Sequence, residues 1–143
     1  MNVSDIMSPH IVSIRHDEPV SAAARLLTRH NLGSLPVCGA DGNLRGMVTD
    51  RDIVLRCVAA DEDPRHTKVS EIMSRGVSAV APEDSVEKAA DIMSQAQVRR
   101  LPVVENGRPI GVISICDMIR SGHCGAEAAS ALSEISANLH RRK

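Results

Sequence analysis

Gly46-Met-Val-Thr-Asp-Arg-Asp52 returns later in the chain as Gly111-Val-Ile-Ser-Ile-Cys-Asp117, and that return decides the fold. Two further stretches recur around it. Val3-Ser-Asp-Ile-Met-Ser8 matches Val69-Ser-Glu-Ile-Met-Ser74, and Leu35-Pro-Val37 matches Leu101-Pro-Val103. Positions 3 and 69, like 36 and 102, lie 66 apart, whereas 52 and 117 lie 65 apart because one residue is lost in the turn near Gly107. Three landmarks in one order at one offset mark an internal duplication. Two copies, rather than a long array, predict a pseudo-twofold pair packed face to face with a cleft between the copies.

The 143 residues suffice for a real core, but a half of roughly 60 residues is marginal alone, so the copies are expected to share apolar surface. A net charge of −1 gives no basic field for nucleic acid or an anionic membrane. No apolar run approaches the ~20 residues of a membrane span, and Met1-Asn-Val-Ser-Asp5 lacks the basic and apolar regions of a signal peptide. The expected location is cytoplasmic. The chain contains no Phe, Tyr or Trp. Its core must therefore be aliphatic, and recognition of bases by aromatic stacking is excluded.

Each copy reads β-α-β-β-α. Ile11 to Ile14 and Val77 to Ala81 suit a first strand. A helix follows, with Pro19 placed for its first position in one copy and Asp84 with Glu87 resembling a capping pair in the other. Val20, Ala23, Ala24 and Leu27 fall on one face, as do Val86, Ala89, Ala90 and Met93. Two strands then flank a turn: 34–38 and 44–48 around Asp41-Gly42, and 101–104 and 110–113 around Asn106-Gly107. A last helix starts near Asp50 and near Ile115. The domain plan is repeat one over 3–59, a polar linker over 60–68, repeat two over 69–122 and an amphipathic helix over 126–140. The stripe of that last helix is Ala128, Leu132, Ile135 and Leu139.

Thr49 and Asp52 stand three apart at a strand-to-helix junction, as do Ser114 and Asp117. This is the spacing of a helix N-cap. The same carboxylate can accept both hydroxyls of a ribose, and free amides at the helix start favour phosphate. Both readings can hold together, because a cap places the carboxylate at the junction.

This order, closed in each copy by Gly-hydrophobic-x-Thr/Ser-x-x-Asp, resembles the cystathionine-β-synthase (CBS) domain pair, the Bateman module, over residues 3 to about 122. Leu32 to Gly39 with Gly46 to Val54 is similar to the hypoxic response protein type of stand-alone two-CBS protein. The resemblance implies an α/β (α+β) fold of tandem repeats and a regulatory, non-enzymatic sensor connected with stress response. It also implies a homodimer that binds AMP, ADP, ATP or S-adenosylmethionine between the repeats, with no required cofactor. It assigns ribose or phosphate contacts to Thr49, Asp52, Ser114 and Asp117, and phosphate contacts to Arg100. Arg51 is a second cation, present only in copy one, where copy two has Cys116. Ile14, Val80, Pro36 and Pro102 mark the strand positions expected to supply backbone groups and aliphatic walls for a purine.

Six histidines and four cysteines show no zinc-type spacing, so no metal site is assigned. Cys38 and Cys116 occupy apolar positions that suit buried structural thiols. No nucleophile–base arrangement suggests catalysis. The competing function is a ligand-free dimerisation scaffold, with the tail helix open to a protein partner. A metal- or thiol-dependent stress protein is the third class.

Overall fold

The computed structural model describes residues 1–122 and 129–136. These divide into two compact units. One is contiguous, Val12–Val77; the other is split, joining Met1–Ile11 to the chain from Ser78 onward.

In the contiguous unit, β1 (Ile14–Arg15), β2 (Ser34–Cys38) and β3 (Leu44–Thr49) form a three-stranded sheet in that order. β1 runs parallel to β2, with Ile14 opposite Val37, so α2 (Val20–His30) is the crossover between them. β2 and β3 form the expected hairpin, with Leu35 opposite Val48 and Val37 opposite Gly46. Gly42 adopts φ 85° in its turn, the region that glycine enters without steric cost. α3 (Asp50–Ile53) then continues into a π-helical turn, Val54–Val58.

The split unit repeats the plan with α5 (Val86–Ala96), the hairpin β4 (Arg100–Glu105) and β5 (Arg108–Ser114), and α6 (Ile115–Ser121). Its first strand shrinks to one parallel bridge, Val80 to Val103. The long apolar runs expected for the first strands are thus two residues in one unit and a single bridge in the other. α2 and α5 both end in a left-handed residue at matching positions, Asn31 at φ 52° and Gln97 at φ 59°.

The cores are aliphatic. Val20, Ala23 and Leu27 pack with Leu35, Val37 and Val48 in one unit. Val86, Ala89, Ala90 and Met93 pack with Leu101, Val103 and Ile113 in the other. Each fully buried Leu or Val contributes roughly 1.5–3 kcal/mol. A helical stretch over 129–136 adds Ala131 and Ile135 to the split unit's core, and Leu132 lies against it. The described part of the tail stripe is therefore spent within its own unit. Ala128 and Leu139 fall outside the described residues.

The recurrent Val-Ser-(Asp/Glu)-Ile-Met-Ser stretches form straps, each with one helical turn: α1 (Val3–Ile6) and α4 (Val69–Ile72). The second strap docks on β3 through reciprocal bonds, Met47 N–H to Ser74 O at 3.0 Å and Ser74 N–H to Met47 O at 2.8 Å. The first docks on β5 through Ser8 and Val112 at 2.9 and 3.0 Å. Each compact unit therefore takes its strap from the other sequence repeat, and units and repeats are out of phase. Both docking sites need glycine: a Cβ on Gly46 would stand 2.5 Å from Ser74 O, and one on Gly111 2.6 Å from Ser8 O. The polar segment before the second strap is also built in. Thr67 is buried, its carbonyl accepts the Val20 N–H at 2.8 Å, and its hydroxyl donates to Asp63 O.

Two capping expectations are corrected. Pro19 is the N-cap of α2, one position before the helix proper. Ser85, rather than Asp84, caps α5 by accepting the Lys88 N–H at 3.1 Å. Asp84 instead closes the preceding turn, accepting the Ala81 N–H at 2.9 Å and pairing with Lys88.

Candidate functional site

Each hairpin runs into its last helix at a tight corner, and both corners are built alike. Thr49 is extended, its Oγ1 accepts the Asp52 N–H at 3.0 Å, and Asp52 Oδ2 accepts the Thr49 N–H at 3.0 Å. Ser114 and Asp117 make the same pair of bonds at 3.1 and 2.9 Å. These are reciprocal capping boxes, which satisfy helix-start amides that would otherwise lack partners. The first helical amide is bonded to the facing strand's lead-in: Asp50 N–H to Gly33 O, and Ile115 N–H to Arg99 O. Each cap occupies one carboxylate oxygen. The other, Oδ1, retains its lone pairs for outside donors.

What surrounds that second oxygen differs. At the contiguous unit's corner, Asp52 Oδ1 accepts from Ser74 Oγ at 3.4 Å and stands 3.9 Å from Arg56 Nη1. Asp52 as a whole is buried. At the split unit's corner, Asp117 Oδ1 accepts from Arg120 Nη2 at 2.7 Å, and the Arg120 side chain is 73% exposed. Across the hairpin, Arg100 lies opposite Ser114 in the strand register, whereas Ser34 lies opposite Thr49.

The structure therefore brings Arg100, Ser114 and Asp117 to one corner and Thr49, Arg51 and Asp52 to the other. Arg51 and Arg100 are both exposed. The remaining sequence candidates lie deeper. Ile14 and Pro36 are buried in the sheet of the contiguous unit, and Val80 and Pro102 are buried in the split unit. Val80 has both main-chain groups bonded inside its sheet, its N–H to Pro102 O at 3.1 Å and its C=O from Val104 N–H at 2.8 Å. It has no free N–H to offer a purine. Arg56, Ser74 and Arg120 were missed by sequence reasoning. Arg56 was findable, because Asp52 and Arg56 are spaced i, i+4 on one helix face.

The cysteines split. Cys38 and Cys57 are buried, and burial raises both thiols above their ordinary pKa. Cys116, expected to be buried, is exposed. It follows the capping residue by two positions and so points off the first turn of α6 rather than into the core. Among the described residues no group of three or more His, Cys, Asp or Glu side chains could hold a metal ion.

A duplicated hairpin-plus-helix unit with a capped acidic corner defines a tandem-repeat module of the kind anticipated from the motifs. The family model for the CBS domain matches residues 3–58 and 69–123, and the chain belongs to that family. It is 37% identical over 140 residues to the CBS domain-containing protein YhcV of Bacillus subtilis, covering 97% of this chain and 99% of the relative. It is 35% identical over 116 residues to Hypoxic response protein 1 of Mycobacterium tuberculosis, covering 81% of each. Among solved structures it resembles Hypoxic Response Protein I with two coordinated zinc ions (34% identity, TM-score 0.78, 84% and 98% of the two chains). It also resembles the CBS domain pair of protein MJ0100 in complex with 5-methylthioadenosine and S-adenosyl-L-methionine (28% identity, TM-score 0.74, 85% and 94%). A third match is CBSX2 in complex with AMP (26% identity, TM-score 0.73, 85% and 95%). No helix among the described residues is long and apolar enough to cross a membrane.

Proposed function

We propose that the protein is a non-catalytic regulatory module that binds an adenosyl nucleotide, AMP, ADP, ATP or S-adenosylmethionine, and signals by a change of conformation. The observation that carries this reading is the split unit's corner. Among the described residues Asp117 Oδ1 accepts from Arg120, an exposed side chain of its own helix, and Arg100 lies across the strand pair from Ser114. In the proposal Asp117 accepts the ribose hydroxyls, Ser114 bonds a ribose or phosphate oxygen, and Arg100 faces the phosphate. Charge-assisted bonds of this kind are the strong ones. Structural relatives that bind AMP or S-adenosylmethionine support the ligand class. The Thr49–Asp52 corner, with Arg51 beside it, is the second candidate position.

Such a ligand acts as a signal only if it favours one conformation over another. Calorimetric titration with AMP, ATP, S-adenosylmethionine and NADH tests the reading. At least one is expected to bind, and Asp117→Ala to weaken it about 10–100-fold, the equivalent of a lost hydrogen bond to a charged group. No heat from any of the four in a folded protein would overturn it.

A second reading, a ligand-free dimerisation scaffold, is favoured by one patch. Val54, Leu55 and Val58 on the π-helical turn are 55%, 50% and 62% exposed. An aliphatic face of this size fits a protein contact. Sedimentation velocity showing a dimer, together with silent titrations, would select that reading. A dimer that also binds nucleotide joins the two.

A further inference from the structure

One guanidinium nitrogen in the contiguous unit touches three groups. Arg56 Nη1 donates to Ile72 O at 3.1 Å and to Met73 O at 3.4 Å, and stands 3.9 Å from Asp52 Oδ1. Ile72 is the last residue of α4 and Met73 its C-cap. Arg56 therefore satisfies carbonyls that the end of a helix leaves without partners, where a positive charge is also favoured. Ser74, the next residue of the same strap, donates its hydroxyl to the same Asp52 oxygen at 3.4 Å. The oxygen that the cap leaves over is thus met by Ser74 of the strap and by Arg56, which also holds the strap's carbonyls. In the split unit the residue matching Arg56 is Ser121, which has no guanidinium, and its hydroxyl donates to Met118 O. The two corners share a cap but only one carries this tie.

We infer that Arg56 is a latch: it closes the Asp52 corner to a ribose diol, and a diol that reaches Asp52 must displace it and free the carbonyl end of α4. The identity of the diol rests on the nucleotide reading above; the tie itself does not. The geometry sets the competition. A diol needs Oδ1 of Asp52, and that oxygen already has the Ser74 hydroxyl and the Arg56 charge against it. Displacing Arg56 would loosen the strap that docks through Ser74 on Met47. Occupancy at this corner and order in 69–74 are therefore linked, and each must oppose the other by the same factor. Arg56 acts here as a positioning residue, through Asp52 and the strap.

The test uses adenosine, which carries the diol without phosphate, so that loss of the arginine charge does not weaken an anionic probe. It is run in an Asp117→Ala background, which leaves the Asp52 corner as the acidic corner able to take the diol. Arg56→Ala is expected to tighten adenosine about tenfold, and adding Asp52→Ala is expected to abolish the gain. Unchanged affinity on Arg56→Ala, or a gain that survives loss of Asp52, would overturn the latch. Hydrogen exchange without ligand supplies the second readout. Segment 69–74 is expected to exchange faster in Arg56→Ala, with Arg56→Lys between it and the parent; unchanged exchange overturns the tie. Faster exchange with no gain in affinity means that Arg56 only stabilises α4, and also overturns the latch. If the parent chain binds none of AMP, ATP, S-adenosylmethionine and NADH, the nucleotide reading falls, and the tie stands or falls on exchange alone.

Discussion

The Thr49–Asp52 and Ser114–Asp117 corners share a backbone but not their surroundings. Both close with the same reciprocal cap, at distances that agree within 0.1 Å or so for each bond. Both take the first helical amide onto the facing strand's lead-in. Around that frame, Ser34 faces Thr49 where Arg100 faces Ser114, and Asp52 Oδ1 meets Ser74 and Arg56 where, among the described residues, Asp117 Oδ1 pairs with Arg120. The lesson is a division of labour within one duplicated motif. Residues that the helix start requires are kept in both copies, because an uncapped buried corner leaves amides without partners. Side chains that the cap does not require have gone separate ways, and they set the two corners apart.

The largest expected effects test where the units should be alike. Gly46→Ala and Gly111→Ala each drive a Cβ into a strap carbonyl, at 2.5 and 2.6 Å. Both are expected to cost roughly 1–3 kcal/mol, read as lowered denaturant midpoints. A large loss at one and none at the other would show that only one strap is docked as described.

The next comparison separates the corners. Asp52→Ala removes a cap and leaves Ser74 and Arg56 without their buried acceptor, for an expected loss of about 1–3 kcal/mol. Asp117→Ala loses its cap and a surface pair, for about 1 kcal/mol. Chemical denaturation of the two variants reads the difference. Equal losses would mean that the strap contacts add nothing to Asp52.

The smallest effect is on pH. The Ala81 N–H and the Lys88 ammonium hold the Asp84 carboxyl below its ordinary pKa, and Arg15 does the same for exposed Asp17 in the other unit's turn. A carboxylate depressed in the folded state contributes stability above its unfolded value of about 3.9, and that contribution is lost as pH falls through the folded value. Asp84→Asn is therefore expected to flatten the acid limb of the melting curve below about pH 4, by roughly 2 °C. Asp17→Asn, at an exposed pair, is expected to leave the limb nearly unchanged. The reverse order would mean that the Asp84 turn does not hold the entry to α5.

Much of the architecture was legible because local rules and the repeat agreed. The hairpins followed from Asp41-Gly42 and Asn106-Gly107, and the stripes Val20-Ala23-Leu27 and Val86-Ala89-Met93 are core. Thr49, Asp52, Ser114 and Asp117 were legible as caps from spacing alone. The capping misreadings at Pro19 and Ser85 are one-residue shifts of a local signal, whereas the others depend on how the chain packs. Ile11 to Ile14 looked like a strand, but the sheet offers pairing only from Ile14. Cys116 sits between buried Ile115 and buried Met118 but belongs to the outer side of the turn. Arg56 reads as one more surface arginine until the carbonyls of Ile72 and Met73 are brought to it.

By itself, the sequence determined the duplicated β-α-β-β-α order, the aliphatic cores and the two capped corners, since periodicity, turn residues and N-cap spacing are local properties. Only the tertiary structure decided that each strap serves the unit of the other repeat, that Gly46 and Gly111 are required by those straps, and that Asp52 meets a strap residue while Asp117 pairs with Arg120 of its own helix. Those outcomes depend on which backbone oxygen comes within reach of which donor once distant segments pack, and no short-range pattern encodes that.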